Sequence, residues 1–394
     1  MRILLSDGAG LTARQCATLL SQAGHQVEAL SPEPVCLCRM TRKVRRVHRV
    51  PPLGEDPFAW LDAALSVASA RGADVLLPVQ EQVTVMSACQ DRIEAAGIAT
   101  VVPDFGALAR VQDKVSAYQT LAGLGLPQPS SAVVTSPAEV TRFPVFVKMP
   151  IGTASAGVRY VSGYQDLEGL DLSAGVLVQE PVNGPLVMVQ SVFAHGSLIA
   201  FHACERVREG ARGGASHKRG VALPAVREHV AALGAALGWH GALSADVIDG
   251  RFIDINPRLV EPVNAYRSGV DLVGAMLAGS SSPASQPGVR THQLLLAVLG
   301  AAQHGGRRDV LRELGKALLR TGDYRYSTEE LTPFWSLPVL AASAATLMNP
   351  SAWRYFASGA TTAYSLTPEA WRQLSSAIGR ELPGERGRVT ACPN

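Results

Sequence analysis

The residues best suited to chemistry lie in one run, Leu243-Ser244-Ala245-Asp246-Val247-Ile248-Asp249-Gly250-Arg251-Phe252-Ile253-Asp254-Ile255-Asn256-Pro257-Arg258. Two alternating apolar and polar segments flank Asp249-Gly250, a pair that favours a tight hairpin turn. Register decides what such a hairpin offers, because a one-residue slip moves every side chain to the other face. A two-residue Asp-Gly turn pairs Ala245 with Asp254 and sends Asp246 to the opposite face. A three-residue loop, Ile248-Asp249-Gly250, with Gly250 in a left-handed bulge position, shifts the parity by one. Leu243, Ala245, Val247, Ile253 and Ile255 then share one face, and Ser244, Asp246, Asp254 and Asn256 share the other. Only this register separates apolar from polar, so it is the expected one. It gathers two carboxylates and an amide oxygen, a hard-oxygen set suited to Mg2+. Two acids this close repel unless a cation lies between them. A hairpin with a merely solvated polar face usually carries charges of both signs; this one carries acids, with Arg258 just beyond.

Groups able to handle phosphate lie upstream. Phe143-Pro144-Val145-Phe146-Val147-Lys148 reads as a strand ending in a lysine. Gly152-Thr153-Ala154-Ser155-Ala156-Gly157 follows, a small-residue loop able to lay backbone N–H groups on phosphates. It lacks the Gly-Lys-Ser/Thr ending of a Walker A loop, and on its own it also reads as an ordinary hairpin loop. Lys114 falls in the first turn of a helix capped by Asp113, where the macrodipole disfavours a cation unless an anion is near.

These groups need a scaffold. Ile3–Leu5, a helical pattern through Ala13, Ala17 and Leu20, a stop at Gly24 and a strand over Gln26–Leu30 form a βαβ opening. Val75-Leu76-Leu77 reads as another parallel strand. Gly8-Ala9-Gly10 lacks the third glycine of a dinucleotide fingerprint, which argues against a nicotinamide cofactor. A helix starts at Pro224, with Val226, Val230, Leu233 and Leu237 on one face. Gly279 to Gly288 reads as a linker, and from about His292 the chain reads as mostly helical.

At 394 residues the chain is long for one core. Its net charge of +3 gives no global case for nucleic acid or an anionic membrane. Arg39 to Arg49 is rich in basic residues and reads either as a phosphate-seeking patch or as a solvated loop. The six scattered cysteines have no C-x-x-C pair, so reduced, packed thiols are expected rather than zinc. Met1 to Asp7 enters a strand with no signal-peptide core, and Leu337–Met348 is too short to span a bilayer. A cytoplasmic protein is expected, with no membrane span, no nucleic-acid partner and a possible homo-oligomeric state.

Taken in order, the segments resemble the ATP-grasp superfamily, in the carboxylate–amine ligase branch similar to biotin carboxylase and carbamoyl-phosphate synthetase. The resemblance runs from about Met1 to Asp271. It rests on Asp113-Lys114-Val115 before Gly125-Leu126-Pro127, Pro144–Lys148, the Gly152–Gly157 loop and Val178-Gln179-Glu180-Pro181-Val182-Asn183-Gly184. Gly238-Trp239-His240-Gly241 and Asp254-Ile255-Asn256-Pro257-Arg258 complete it.

The resemblance implies an α/β chain of α+β subdomains. A Rossmann-like pre-ATP-grasp domain would span 1–105, a small lid subdomain 106–183, a large subdomain 184–280 and a helical extension 290–394. It implies that Lys114 and Lys148 neutralise ATP phosphates and that Gly152, Ser155 and Gly157 belong to a loop closing over them. Glu180 to Val182 would read adenine through the backbone. Asp246, Asp254 and Asn256 would hold Mg2+, and Arg258 would face the moving phosphoryl group. Leu186, Val187 and Gln190 stand where the family often has acids, which removes its usual ribose contact.

In the loop near Gly213–Lys218, Arg206 reads either as a carboxylate clamp or as a surface ion pair, and His217 as a base or a solvated histidine. Glu81 ends a parallel strand, where it either meets an amino substrate or starts the next helix. The expected activity is ATP- and Mg2+-dependent phosphorylation of a small carboxylate, followed by attack of an amine. A kinase that stops at phosphorylation and a nucleotide-sensing module are the alternatives.

Overall fold

The structure, a computed structural model, describes residues 1–34, 36–152, 157–326 and 366–378. Its first layer is a parallel sheet of order β3-β2-β1-β4, formed by β1 (Arg2–Leu5), β2 (Gln26–Ser31), β3 (Val47–Arg49) and β4 (Val75–Leu77). The crossovers carry α1 (Leu11–Gln22) and α2 (Pro57–Arg71). Asp56 caps α2 by accepting from the Phe58 and Ala59 N–H groups, and Gly72 ends it in the left-handed conformation. Because the strands run parallel, the loop at Ser6–Gly10 and Glu81 emerge at one edge, the C-terminal edge where such sheets collect ligands.

Short helices α3 (Val83–Ala88), α4 (Gln90–Ala95) and α5 (Phe105–Gln112) lead to α6 (Lys114–Gly123). Asp113 caps α6 as expected, accepting from Val115 and Ser116. A small antiparallel sheet of order β5-β8-β6-β7 follows: β5 (Ser131–Val134), β6 (Val145–Lys148), β7 (Val158–Val161) and β8 (Val176–Gln179). It closes on its own core of valines and leucines, among them Val134, Val145, Val147, Val161 and Val176.

The largest sheet has the order β13-β12-β9-β10-β11-β14 and is antiparallel throughout. Its strands are β9 (Leu186–Ala194), β10 (Ser197–Glu209), β11 (Ala215–Val221), β12 (Gly241–Ile248), β13 (Arg251–Asn256) and β14 (Arg290–His292). Between β11 and β12 runs α7 (Pro224–Leu237), whose Val226, Val230 and Leu233 bury against Ala245, Val247 and Phe252 on one face. The helices α8 (Val263–Arg267) and α9 (Leu272–Ala278) follow β13, and Val273 and Met276 join the first domain's core. The chain beyond the linker first returns to the sheet as β14, and the helical extension follows it. Among the described residues the extension comprises α10 (Leu294–His304), α11 (Arg307–Leu319) and α12 (Pro368–Ile378). The last of these packs Trp371 against Phe105, with ring centroids 5.6 Å apart. Leu337–Met348 lies outside the described residues.

The contact of α7 with the sheet is close enough to test. A Cβ added at Gly234 would stand 2.0 Å from the Phe193 ring. Overpacking of this kind typically costs about 1–3 kcal/mol. Gly234→Ala should therefore lower the denaturant midpoint with an unchanged slope; an unchanged midpoint contradicts the packing described here.

Candidate active site

The hairpin delivers the expected pairing by an unexpected route. Ser244 pairs with Asn256, Ala245 with Ile255 and Asp246 with Asp254, but Val247 then pairs with Phe252 and Ile248 with Arg251. The turn is the two-residue one, Asp249-Gly250, with both residues at positive φ (51° and 73°). The missing parity step is a β-bulge at Ile253 and not a longer loop. Phe252 therefore takes the core position expected for Ile253 and is 1% exposed. The bulge has a chemical consequence, because the Ile253 carbonyl accepts a hydrogen bond from Lys148 Nζ at 2.7 Å.

Lys148 ends β6 and crosses from the small sheet to the large one. Its ammonium also donates to Gln179 Oε1 at 2.7 Å. Burial lowers its pKa, Lys114 adds to this, and Asp254 and Asp246 work against it. Lys114 Nζ donates to the Gly152 carbonyl at 3.0 Å, tying the start of α6 to the loop after β6. Two adjoining clefts share Lys114, Asp254 and Ile255; one is also lined by Glu81, Gly152 and Asn256, the other by Tyr118, Leu177 and Gln179. Leu366, just ahead of α12, lines the first cleft. Nothing in the sequence signalled that, because it rests on a return of the chain from the extension.

Arg258 is held by the first domain. Its Nε donates to Glu81 Oε1 at 3.0 Å, and both side chains are largely buried. Glu81 thus neither stands open to an amine nor serves only as a helix start. The segment after Arg258 is pinned at successive residues: Val260 N–H donates to Gln190, Glu261 N–H to Thr12 and Val263 N–H to Gln15. Glu261, at φ 48°, pairs with Lys218 Nζ at 2.6 Å. Sequence reasoning missed this pair, although Lys218 alternates with His217 along β11 and only one of the two can face the site.

The facing residue is Lys218. His217 points the other way, 3.0 Å from Asp323 Oδ1 and stacked on Tyr326, so it is corrected from candidate base to a buried group under the extension. Arg206 donates to the Gly213 carbonyl at 2.8 Å and lies 3.6 Å from Glu209, yet remains near enough to influence Asp246. Gln190 is fully buried, its oxygen bound to Val260 N–H, so it offers nothing to a ribose. Glu180 pairs with Arg142 at 3.1 Å, and its N–H is taken by the Ser130 carbonyl. Val182 follows in the same segment with no hydrogen bond to its N–H among the described residues. Ser155 lies outside the described residues; its flanking Gly157, at φ 76°, accepts from Met149 N–H at 2.8 Å. The five described cysteines are free and buried.

Asp246 is half-buried and faces Asp254 directly. Burial first, and Asp254 second, push its carboxyl up to about 7, with Arg206, Lys148 and Arg258 pulling the other way. Among the described residues no three His, Cys, Asp or Glu side chains converge on one point. The donor set is instead two carboxylates and the Asn256 amide. That fits Mg2+, which commonly uses one or two carboxylates and takes its remaining oxygens from phosphate and water.

No protein-family model and no curated relative matches the sequence. Among solved structures, the chain is similar to Rhizobium etli pyruvate carboxylase solved with the allosteric activator acetyl coenzyme A. Identity is 20% and the TM-score 0.56, over 70% of this chain and only 28% of that much longer one. It is also similar to the biotin carboxylase domain of Hydrogenobacter thermophilus 2-oxoglutarate carboxylase, solved with MgADP, ADP and bicarbonate. There identity is 17% and the TM-score 0.54, over 72% of this chain and 71% of that one. An L-amino acid ligase from Bacillus licheniformis matches at 17% identity and TM-score 0.55, over 71% of this chain and 73% of that one. The architecture is the ATP-grasp fold.

The raised Asp246 carboxyl makes a signed prediction for the metal-free protein. Its folded pKa lies above the ordinary 3.8, so between about 4 and about 7 the folded state holds a proton that the unfolded state has lost. Stability from this group therefore falls as pH rises through that window. Asp246→Asn should flatten the melting-temperature profile there and stabilise the metal-free protein at pH 8. A mutant profile parallel to wild type contradicts a raised Asp246 carboxyl.

Proposed function

We propose that the chain is an ATP- and Mg2+-dependent ligase that phosphorylates a small carboxylate and joins the acyl group to an amine. The observation that carries this reading is that Asp246, Asp254 and Asn256 share one face, with Lys114 lining the clefts beside Asp254 and Lys148 bonded to Gln179 and the Ile253 carbonyl of the second cleft's wall. That arrangement suits a nucleoside triphosphate: acids for the metal, cations for the phosphates. The fold shared with enzymes solved with MgADP supports it.

In this reading the adenine occupies the cleft beside Gln179, with the Glu180–Val182 backbone along its edge. Lys148 and Lys114 neutralise phosphate oxygens, and the loop from Gly152 through Ser155 to Gly157 covers them. Asp246, Asp254 and Asn256 would hold Mg2+, which would supply charge screening at the phosphates. Arg258, fixed by Glu81, faces that group. Arg206 orients the substrate carboxylate, with the Lys218–Glu261 pair beyond it.

The chemistry has two steps. A carboxylate oxygen attacks the γ-phosphorus and ADP leaves, giving an acyl phosphate. The amine then attacks the acyl carbon, and phosphate leaves with one former carboxylate oxygen. A cation aimed at the charge that develops commonly contributes about a hundredfold in rate. Removing Arg258 should cost about that much.

Lys148→Ala should abolish the ATP-dependent rise in melting temperature while the protein stays folded; a mutant that binds ATP as wild type does removes Lys148 from the site. An ADP-release screen over pairs of amino acids and other small carboxylates identifies the substrates. With the carboxylate labelled with heavy oxygen, released phosphate should carry one label per turnover. Label in AMP means adenylation, and a stable phosphorylated product means a kinase; either outcome overturns the ligase reading.

A further inference from the structure

The extension carries a surface that the active site does not use. Helix α11 is fastened by one side only. Val310 is buried, and Glu313 accepts from Arg208 at 2.7 Å and from the Tyr324 hydroxyl at 2.6 Å. The adjoining side presents leucines to solvent on successive turns: Leu311 is 67% exposed, Leu314 41% and Leu318 85%, with Leu319 at the helix end 76%. Residues at i, i+3 and i+7 form one stripe along a helix. Scattered exposed leucines are ordinary on a protein surface, whereas a contiguous apolar stripe marks a contact.

The charges beside the stripe identify the contact. Arg307, Arg308, Arg312, Lys316 and Arg320 lie on or directly after the same helix. Its two acids are already engaged, Asp309 with Arg312 at 2.7 Å and Glu313 with Arg208 and, at 3.2 Å, Lys316. Arg307, Arg308 and Arg320 have no acidic partner among the described residues. A second copy laid along this helix would meet its own cations. An anionic surface would neutralise them while the leucines leave water, which is the way amphipathic helices lie in a lipid headgroup layer. No described helix is long and apolar enough to cross a membrane, so the contact is peripheral.

We infer that α11 docks the protein on an anionic lipid surface, with Leu311, Leu314, Leu318 and Leu319 entering the headgroup layer and the arginines engaging lipid phosphates. The stripe shares no residue with the ATP cleft, and its test does not depend on the ligase reading.

Full-length protein is mixed with vesicles of phosphatidylcholine, with and without phosphatidylglycerol, and sedimented. The wild type should co-sediment with the anionic vesicles and release at high salt. The pair Leu314→Asp with Leu318→Asp should lower the vesicle-bound fraction roughly tenfold or more, as expected when charge replaces the inserted apolar groups. Its melting temperature should be unchanged, because both side chains are exposed. Arg307→Gln, Arg308→Gln and Arg320→Gln together should remove the preference for anionic lipid. Absence of wild-type binding overturns the inference, and so does full binding by the leucine variant. A wild-type dimer that the leucine variant dissociates, without vesicle binding, assigns the stripe to a second copy and likewise overturns it.

Discussion

Two carboxylates facing each other across neighbouring antiparallel strands cost free energy unless a cation accompanies them, and Asp246 opposite Asp254 is such a pair. Three cationic side chains, Arg206, Lys148 and Arg258, moderate the charge without removing it, since the Asp246 carboxyl still stands near 7. Much of the surrounding geometry serves to hold this pairing. The bulge at Ile253 sets the parity, Phe252 locks the hairpin into the core, and the carbonyl released by the bulge anchors Lys148. A single local irregularity thus supplies the acids' common face and the position of the nearest lysine.

The second dependence is between domains. Glu81, at the C-terminal edge of the parallel sheet and in the wall of the first cleft, fixes the Arg258 guanidinium. The following residues are stitched to Thr12 and Gln15 of α1. The site is therefore shared between the first domain and the large sheet, with the small sheet reaching in through Lys148. Closure of a lid over such a site would need to move the small sheet while Lys148 keeps its bond to Ile253, or trade that bond for phosphate.

Much of this was legible in the residues. Alternation over Leu243–Asn256 identified the polar face, and the cap at Asp113 placed Lys114. The turn length was not legible, because a longer loop and a bulge restore the same parity, and Ile253 and Phe252 are equally apolar. His217 was misread because composition alone does not say which of two adjacent residues on a strand faces the cleft; the neighbouring Lys218 does. The Lys218–Glu261 pair and the Glu81–Arg258 pair join residues far apart in sequence that carry no shared period. They emerge only from the packing around the large sheet and its contact with the parallel one.

Calorimetric titration of a non-hydrolysable ATP analogue, with magnesium and with the metal chelated, tests the central claim most directly when wild type and Asp254→Asn are compared. The account predicts that magnesium strengthens binding to the wild type and that most of this gain disappears in the mutant, whose metal-free melting temperature does not fall. Equal affinity with and without magnesium in the wild type, or an undiminished gain in Asp254→Asn, would contradict it.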